Sequence, residues 1–177
     1  MKKVLLLLIS LSMILCILPS CAKKEEINEN GESVSNVYDD KGFIEKKIFF
    51  NDDGSENSEY KYEYDDYGNI ISEIKYMPDG KIDSKSEYKF EKFGNEYKEV
   101  KRVVYNSEND IEFYQDDYKY DKMTQGGVET YLLISYTTYD AKDKVKSKTE
   151  FSYDKDGNLN KMSTYDADGN RLSENQF

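Results

Sequence analysis

Residues 60–95 read YKYEYDDYGNIISEIKYMPDGKIDSKSEYKFEKFGN. Tyr60, Tyr62 and Tyr64 alternate with Lys61, Glu63 and Asp65, the period of two that belongs to a half-buried strand. Asp66-Tyr67-Gly68-Asn69 closes this run, and Pro78-Asp79-Gly80-Lys81 closes the next. Gly-Asn and Asp-Gly pairs tolerate the positive φ that a tight reversal needs, so the stretch reads strand, turn, strand, turn.

Working outward, the same turn signals recur as a beat. Gly42, Gly54, Gly68, Gly80 and Gly94 are separated by 12, 14, 12 and 14 residues, a unit of 26 residues holding two turns. Asn109 then stands where a glycine is due, Gly126-Gly127 marks a longer loop, and Asp140 to Asp143 forms a turn without glycine. The beat resumes at Gly157 and Gly169. The two turns of a unit differ in sequence, one being (Tyr/Phe)-x-x-x-Gly-Asn and the other x-Asp-Gly, which predicts two turn classes. Five degenerate two-strand repeats result, and consecutive hairpins make an all-β antiparallel meander of about ten strands, twisted and curled.

Strand parity sets Ser84, Ser86, Tyr88 and Phe90 against Lys85, Glu87, Lys89 and Glu91, one apolar face against one solvated face. Residues 129–139 are apolar on both parities, with Leu132, Ile134 and Tyr136 against Tyr131, Leu133 and Tyr139, so this strand is expected to be the most buried. An apolar face on so many strands demands curling, folding over as a sandwich or closure as a barrel. No segment beyond the first 20 residues has a helical period.

Composition excludes several chemistries. The chain has 177 residues, no histidine, no tryptophan, 17 tyrosines and only two cysteines, Cys16 and Cys21. Histidine-dependent nucleophiles, Cys/His zinc sites and a disulfide within the repeat region are therefore ruled out. The formal net charge is -11, a sign unfavourable to phosphate-backbone binding, so no nucleic-acid partner is expected.

The N-terminus has Lys2 and Lys3, an apolar run from Val4 to Leu18, and then Leu18-Pro19-Ser20-Cys21-Ala22. It resembles a bacterial lipoprotein signal peptide, although Pro19 stands where that pattern has Ala, Ser, Val or Thr. The resemblance implies a signal helix over 1–20, cleavage between Ser20 and Cys21, and lipidation of Cys21. Cleavage after Ala22 and an uncleaved anchor are the alternatives. Residues 21–37 then hold the lipidated cysteine and a polar, aperiodic tether, and residues 38–177 the β-repeat domain. The resemblance also implies a place outside the cytoplasmic membrane, in the outer membrane if the cell has one.

Tyr62-Glu63-Tyr64-Asp65-Asp66-Tyr67-Gly68-Asn69, with Phe151-Ser152-Tyr153-Asp154-Lys155-Asp156-Gly157-Asn158, resembles the YD repeats of bacterial cell-surface and toxin-shell proteins. The Tyr/Phe-rich strands ending in Asp-Gly are also similar to MORN-like repeats. The resemblance implies a scaffold without catalytic residues or cofactors.

Three further readings compete. Asp154 to Asn158 and Asp166 to Asn170 have calcium-loop composition, but an EF-hand alignment puts Ser163 or Asn175 where a bidentate glutamate belongs, so both read as hairpins and no metal site is assigned. Tyr60, Tyr62, Tyr64 and Tyr88 form a possible ligand platform, for a glycan among other partners, or simply pack across strands. The acidic pairs Asp39-Asp40, Asp52-Asp53, Asp65-Asp66 and Asp116-Asp117 fall at strand ends, which disfavours a carboxylate-dependent hydrolase. The expected function is a membrane-anchored, non-catalytic binding or structural module, with a carbohydrate-binding surface protein as the alternative and an unidentified protein or glycan as partner.

Overall fold

The computed structural model describes residues 23–27 and 33–177. Twelve strands follow one another: β1 (Lys23–Ile27), β2 (Ser33–Tyr38), β3 (Ile44–Phe50), β4 (Glu56–Tyr64), β5 (Ile70–Tyr76), β6 (Ile82–Phe93), β7 (Glu96–Tyr105), β8 (Ile111–Gln125), β9 (Val128–Asp140), β10 (Val145–Tyr153), β11 (Leu159–Asp166) and β12 (Arg171–Gln176). They form one sheet in sequence order, each strand antiparallel to the next, and β1 and β12 do not pair to close it. The ten strands expected from the beat are β3 to β12. The expected signal helix, with Ser20 and Cys21, lies outside the described residues, among which no helix is long and apolar enough to cross a membrane.

Two strands occupy part of the expected tether. Val34 to Tyr38 pair with β3, and Val34 lies opposite Phe49, so the sheet reaches into residues 23–37. Two isolated valines carry no periodic signal; what makes them strand is the partner edge that β3 supplies.

The turns are more uniform than their sequences. In Asp65–Asn69 the first N–H donates to the fifth carbonyl (3.0 Å), and the Gly68 N–H donates back to the Asp65 carbonyl (3.2 Å). The same pair of bonds closes the turns that begin at Asp39, Asn51, Met77, Asn106, Asp140, Asp154 and Asp166. The two expected turn classes are therefore one class: the first residue varies, while the fourth always has positive φ. Asn109 (φ 64°) and Asp143 (φ 61°) take the glycine's place, as short polar side chains can. A one-residue register slip follows each such turn, as between Glu63 and Tyr64, the bulge that accompanies this hairpin. Two links differ: Phe93 pairs with Glu96 around Gly94, and Gln125 with Val128 around Gly126 and Gly127, both two-residue reversals.

Strand parity divides the sheet cleanly. Tyr60 lies opposite Lys75 and then Ser84, and Tyr62 opposite Glu73 and then Ser86 and Val104, so one face carries the rings of β4. The other face is a ladder of ion pairs: Lys46–Glu59 (2.9 Å), Lys85–Glu87 (2.6 Å), Lys101–Asp116 (2.8 Å) and Lys148–Glu150 (2.6 Å). Lys61, Lys85 and Lys101 also place their ammonium groups over the rings of Tyr76, Tyr105 and Tyr114 at 4.9, 5.0 and 4.8 Å.

Substantial contact is made only between consecutive strands, so among the described residues the sheet is a single layer. Val34, 4% exposed, is the only buried apolar side chain among them. The other buried residues are small and polar, with Asn36, Ser86 and Thr149 on the aromatic face and Ser35, Ser72, Ser135 and Ser163 on the charged one. Short side chains along the middle of the strands are roofed by the longer ones beside them. The expectation that residues 129–139 would be the most buried is corrected on the same ground. Both parities of β9 are apolar, but no second layer covers either face, and Ser135 is its only buried residue.

Candidate ligand-binding face

The sheet brings all four platform residues to one face. Tyr60 and Tyr62 stand two apart on β4 with near-parallel rings (13°) and centroids 6.4 Å apart. Phe49 of β3 meets Tyr60 edge-on at 5.5 Å. Tyr64 stacks on Phe43 at 4.8 Å, and its hydroxyl donates to the Ile44 carbonyl (2.9 Å). Tyr88, on β6, lies under the Arg102 guanidinium at 5.5 Å.

These rings are not equivalent. Tyr64 is committed twice, to Phe43 and to the backbone of β3. Burial, reinforced by the Glu73 carboxylate, pushes the Tyr62 phenol well above its ordinary value, so it stays protonated at any physiological pH. Tyr60 instead opens onto a hollow of about 490 Å³ that Phe49, Asn57, Ser58, Lys75 and Asp83 help to line. Across it Lys75 and Asp83 form an ion pair of 2.7 Å, and the hydrogen bond to Asp83 raises the Lys75 pKa. This arrangement offers a ring wall, one cationic donor and one anionic acceptor side by side.

Arg102 adds a second cation to the face. Its guanidinium reaches the Ser86 hydroxyl only at 3.5 Å, and its buried Nε has no partner among the described residues. Phe49, Lys75, Asp83 and Arg102 were not singled out in the sequence, because they enter from neighbouring strands through register. Alternation places Tyr60, Tyr62 and Tyr64 together, but only pairing tells which residues of β3, β5 and β7 lie beside them.

The Tyr-Asp dipeptides have a structural task. The Asp65 carboxylate accepts the N–H groups of Tyr67 and Asn69 (both 2.9 Å), and Asp154 accepts those of Asp156 (2.8 Å) and Asn158 (2.9 Å). The preceding tyrosines donate to the carbonyl of the previous strand, Tyr64 to Ile44 and Tyr153 to Leu133, each at 2.9 Å. Tyr120, before Asp121, does the same to Glu99 (2.6 Å). Asp154 and Asp166, first residues of the calcium-like stretches, aim their carboxylates at their own turn amides, the geometry of a hairpin. Of the acidic pairs, Asp39 and Asp65 bind turn amides, and Asp116 pairs with Lys101. Asp117, at a bulge of β8 with φ 54°, accepts the Tyr139 hydroxyl.

Along one long edge, rings and thioethers from neighbouring hairpins cover the turns. Phe43 lies against Gly68, Tyr131 against Gly94 and Met123 against Gly157. Tyr67 stacks on Tyr97 with centroids 4.3 Å apart. The Tyr97 phenol is pushed up to about 12, first by its bond to the Tyr67 hydroxyl and then by burial.

No family model matches the chain. No curated protein matches it either. Among solved structures it is similar to TcdB2-TccC3-TEV, with 13% identity over 86% of this chain and 9% of that one, at a TM-score of 0.32. It is also similar to a porin-like protein from Bacteroides uniformis, with 9% identity over 86% of this chain and 92% of that one, at a TM-score of 0.25.

Proposed function

We propose that this chain is a non-catalytic binding module, held at a membrane surface through lipidated Cys21, that presents the aromatic face of its sheet to a partner outside the cytoplasmic membrane. The observation that carries the reading is the single layer. Tyr60, Tyr62 and Tyr88 stand on a face that no other described element packs against, and a monomer with no further purpose for its rings would cover such a face. The carboxylates that a hydrolase would use are engaged in turns and ion pairs.

The anchor is tested by metabolic acyl labelling of wild type and Cys21→Ala. Label must be lost in the variant; equal labelling of the two refutes the anchor. Deleting residues 2–20 must also strand the protein in the cytoplasm.

A carbohydrate ligand is favoured by one specific feature, the Lys75–Asp83 pair beside Tyr60. A donor and an acceptor 2.7 Å apart complement the vicinal hydroxyls of a sugar, while a ring wall takes its C–H face. Titration of residues 23–177 with neutral gluco-, manno- and galacto-configured hexasaccharides, followed by NMR shifts of the Tyr60 and Lys75 resonances, tests it. Asp83→Ala must weaken binding about tenfold. Absence of shifts with all three sugars refutes this ligand while leaving the anchored module standing.

A further inference from the structure

We propose that Tyr67 and Tyr97 are a site of oxidative cross-linking, where a dityrosine bond ties the β4–β5 hairpin to the β6–β7 hairpin. Tyr67 sits in the β4–β5 turn and Tyr97 is the second residue of β7, so β5 and β6 run between them. Their rings are nonetheless in contact, with centroids 4.3 Å apart and planes inclined by 23°. Tyr67 is 69% exposed, which gives an oxidant direct access to one member of the pair.

The chemistry needs two phenols already touching. Each loses one electron and its hydroxyl proton to become a phenoxyl radical, whose spin density is shared with the ring carbons ortho to oxygen. An ortho carbon of one ring bonds to an ortho carbon of the other, and each then passes its hydrogen back to oxygen as aromaticity returns. Two electrons and two protons leave the protein. One hydrogen peroxide, acting through a haem peroxidase, accepts both and yields two waters.

Other tyrosine pairs make poorer staples. Tyr114 and Tyr139 (4.9 Å) and Tyr118 and Tyr136 (5.4 Å) join β8 to β9, strands that already pair directly with one another. Tyr60 and Tyr62 share one strand. Only the 67–97 contact, among these tyrosine pairs, spans two hairpins. Beyond Cys21 the sequence has no cysteine, so a disulfide cannot supply such a link. A covalent bond there closes a loop across a sheet whose strands otherwise hold only their sequence neighbours, and it stabilises chiefly by restricting the unfolded chain.

The test treats the dilute folded chain with hydrogen peroxide and a haem peroxidase, then maps cross-linked peptides by mass spectrometry. The expected product is an intramolecular 67–97 peptide pair lighter by two hydrogens, with dityrosine fluorescence and a Tm raised by about 5 °C. Tyr67→Phe, which keeps the ring and the fold, must abolish this product, and Tyr114→Phe must leave its yield unchanged. The proposal is overturned if the folded chain yields no 67–97 pair. It is equally overturned if the pair forms as readily in concentrated urea, or if other pairs dominate.

Discussion

Replacing Gly68 by alanine separates two costs that one glycine hides. Gly68 has φ 85° and Gly54 has φ 80°, so an alanine at either site incurs the left-handed penalty. Offset by the smaller entropy of the unfolded alanine chain, this comes to about 1 kcal/mol. Only Gly68 has a neighbour: its added Cβ would lie 3.0 Å from Cζ and 3.1 Å from Cε1 of Phe43, whereas Gly54 has open space. The Phe43 ring is stacked on Tyr64 at 4.8 Å and can retreat only by loosening that stack, a further loss of about 1 kcal/mol. Gly68→Ala is therefore expected to cost about 2 kcal/mol and Gly54→Ala about 1 kcal/mol. Urea unfolding at pH 7, comparing midpoints at constant slope, measures both. In a Phe43→Leu background the excess at Gly68 should shrink, a coupling of about 1 kcal/mol. Equal losses at the two glycines, or no coupling to Phe43, would refute the idea that the turns of this edge are packed on one another.

Tyr64→Phe and Tyr153→Phe each remove one hydroxyl bound to a strand carbonyl and should cost about 1 kcal/mol by urea unfolding, whereas Tyr67→Phe should cost almost nothing. Acid should destabilise the turns: the Asn158 side chain and the turn amides lower the Asp154 pKa, and the Lys144 and Lys142 amides lower that of Asp140. A carboxyl whose folded pKa is depressed contributes stability above its unfolded pKa of about 4 and loses it as pH falls through the folded value. Tm should thus hold from pH 7 to about pH 5 and fall below about pH 4, and Asp154→Asn should weaken that fall, since Asn106 already accepts the Glu108 and Asp110 amides (both 3.0 Å) without a charge. Lys101→Ala breaks a part-exposed ion pair with Asp116 and should cost less than about 1 kcal/mol, with the difference from wild type shrinking in 1 M salt; a larger, salt-independent loss would show that the charged face carries the stability.

The hairpins were legible because their signals are local. A positive φ at the fourth turn position selects glycine, asparagine or aspartate whatever surrounds it, so the beat from Gly42 to Gly169 marks the turns, with Asn109 legible as a glycine substitute and Asp140 to Asp143 as a turn without glycine. What depends on distant chain was not legible. Residues 33–37 are strand because Val34 finds Phe49, and neither valine announces it. Parity shows that β9 is apolar on both sides, yet whether a second layer exists to cover it is a property of the whole sheet. The hollow beside Tyr60 needed Lys75 and Asp83, which pairing with β4 and β6 brings there; a different register would present other residues of β5.

The Tyr-Asp dipeptide shows why the clearest motif says most about fold and least about ligand. Its aspartate saturates turn amides that would otherwise face water unpaired, and its tyrosine closes a carbonyl of the preceding strand while its ring covers the hairpin. In the Tyr64-Asp65 and Tyr153-Asp154 copies the hydroxyl and the carboxylate are therefore occupied by the backbone and by the turn's own asparagine. The rings that remain available to a partner lie outside the dipeptide: Tyr60, four residues before Tyr64, and Tyr67, two residues after Asp65. Binding to this sheet should accordingly survive Tyr64→Phe but not Tyr60→Ala, and cross-linking should survive both. If Tyr64→Phe alone abolished binding without lowering Tm, the division between a structural dipeptide and the working rings around it would be wrong.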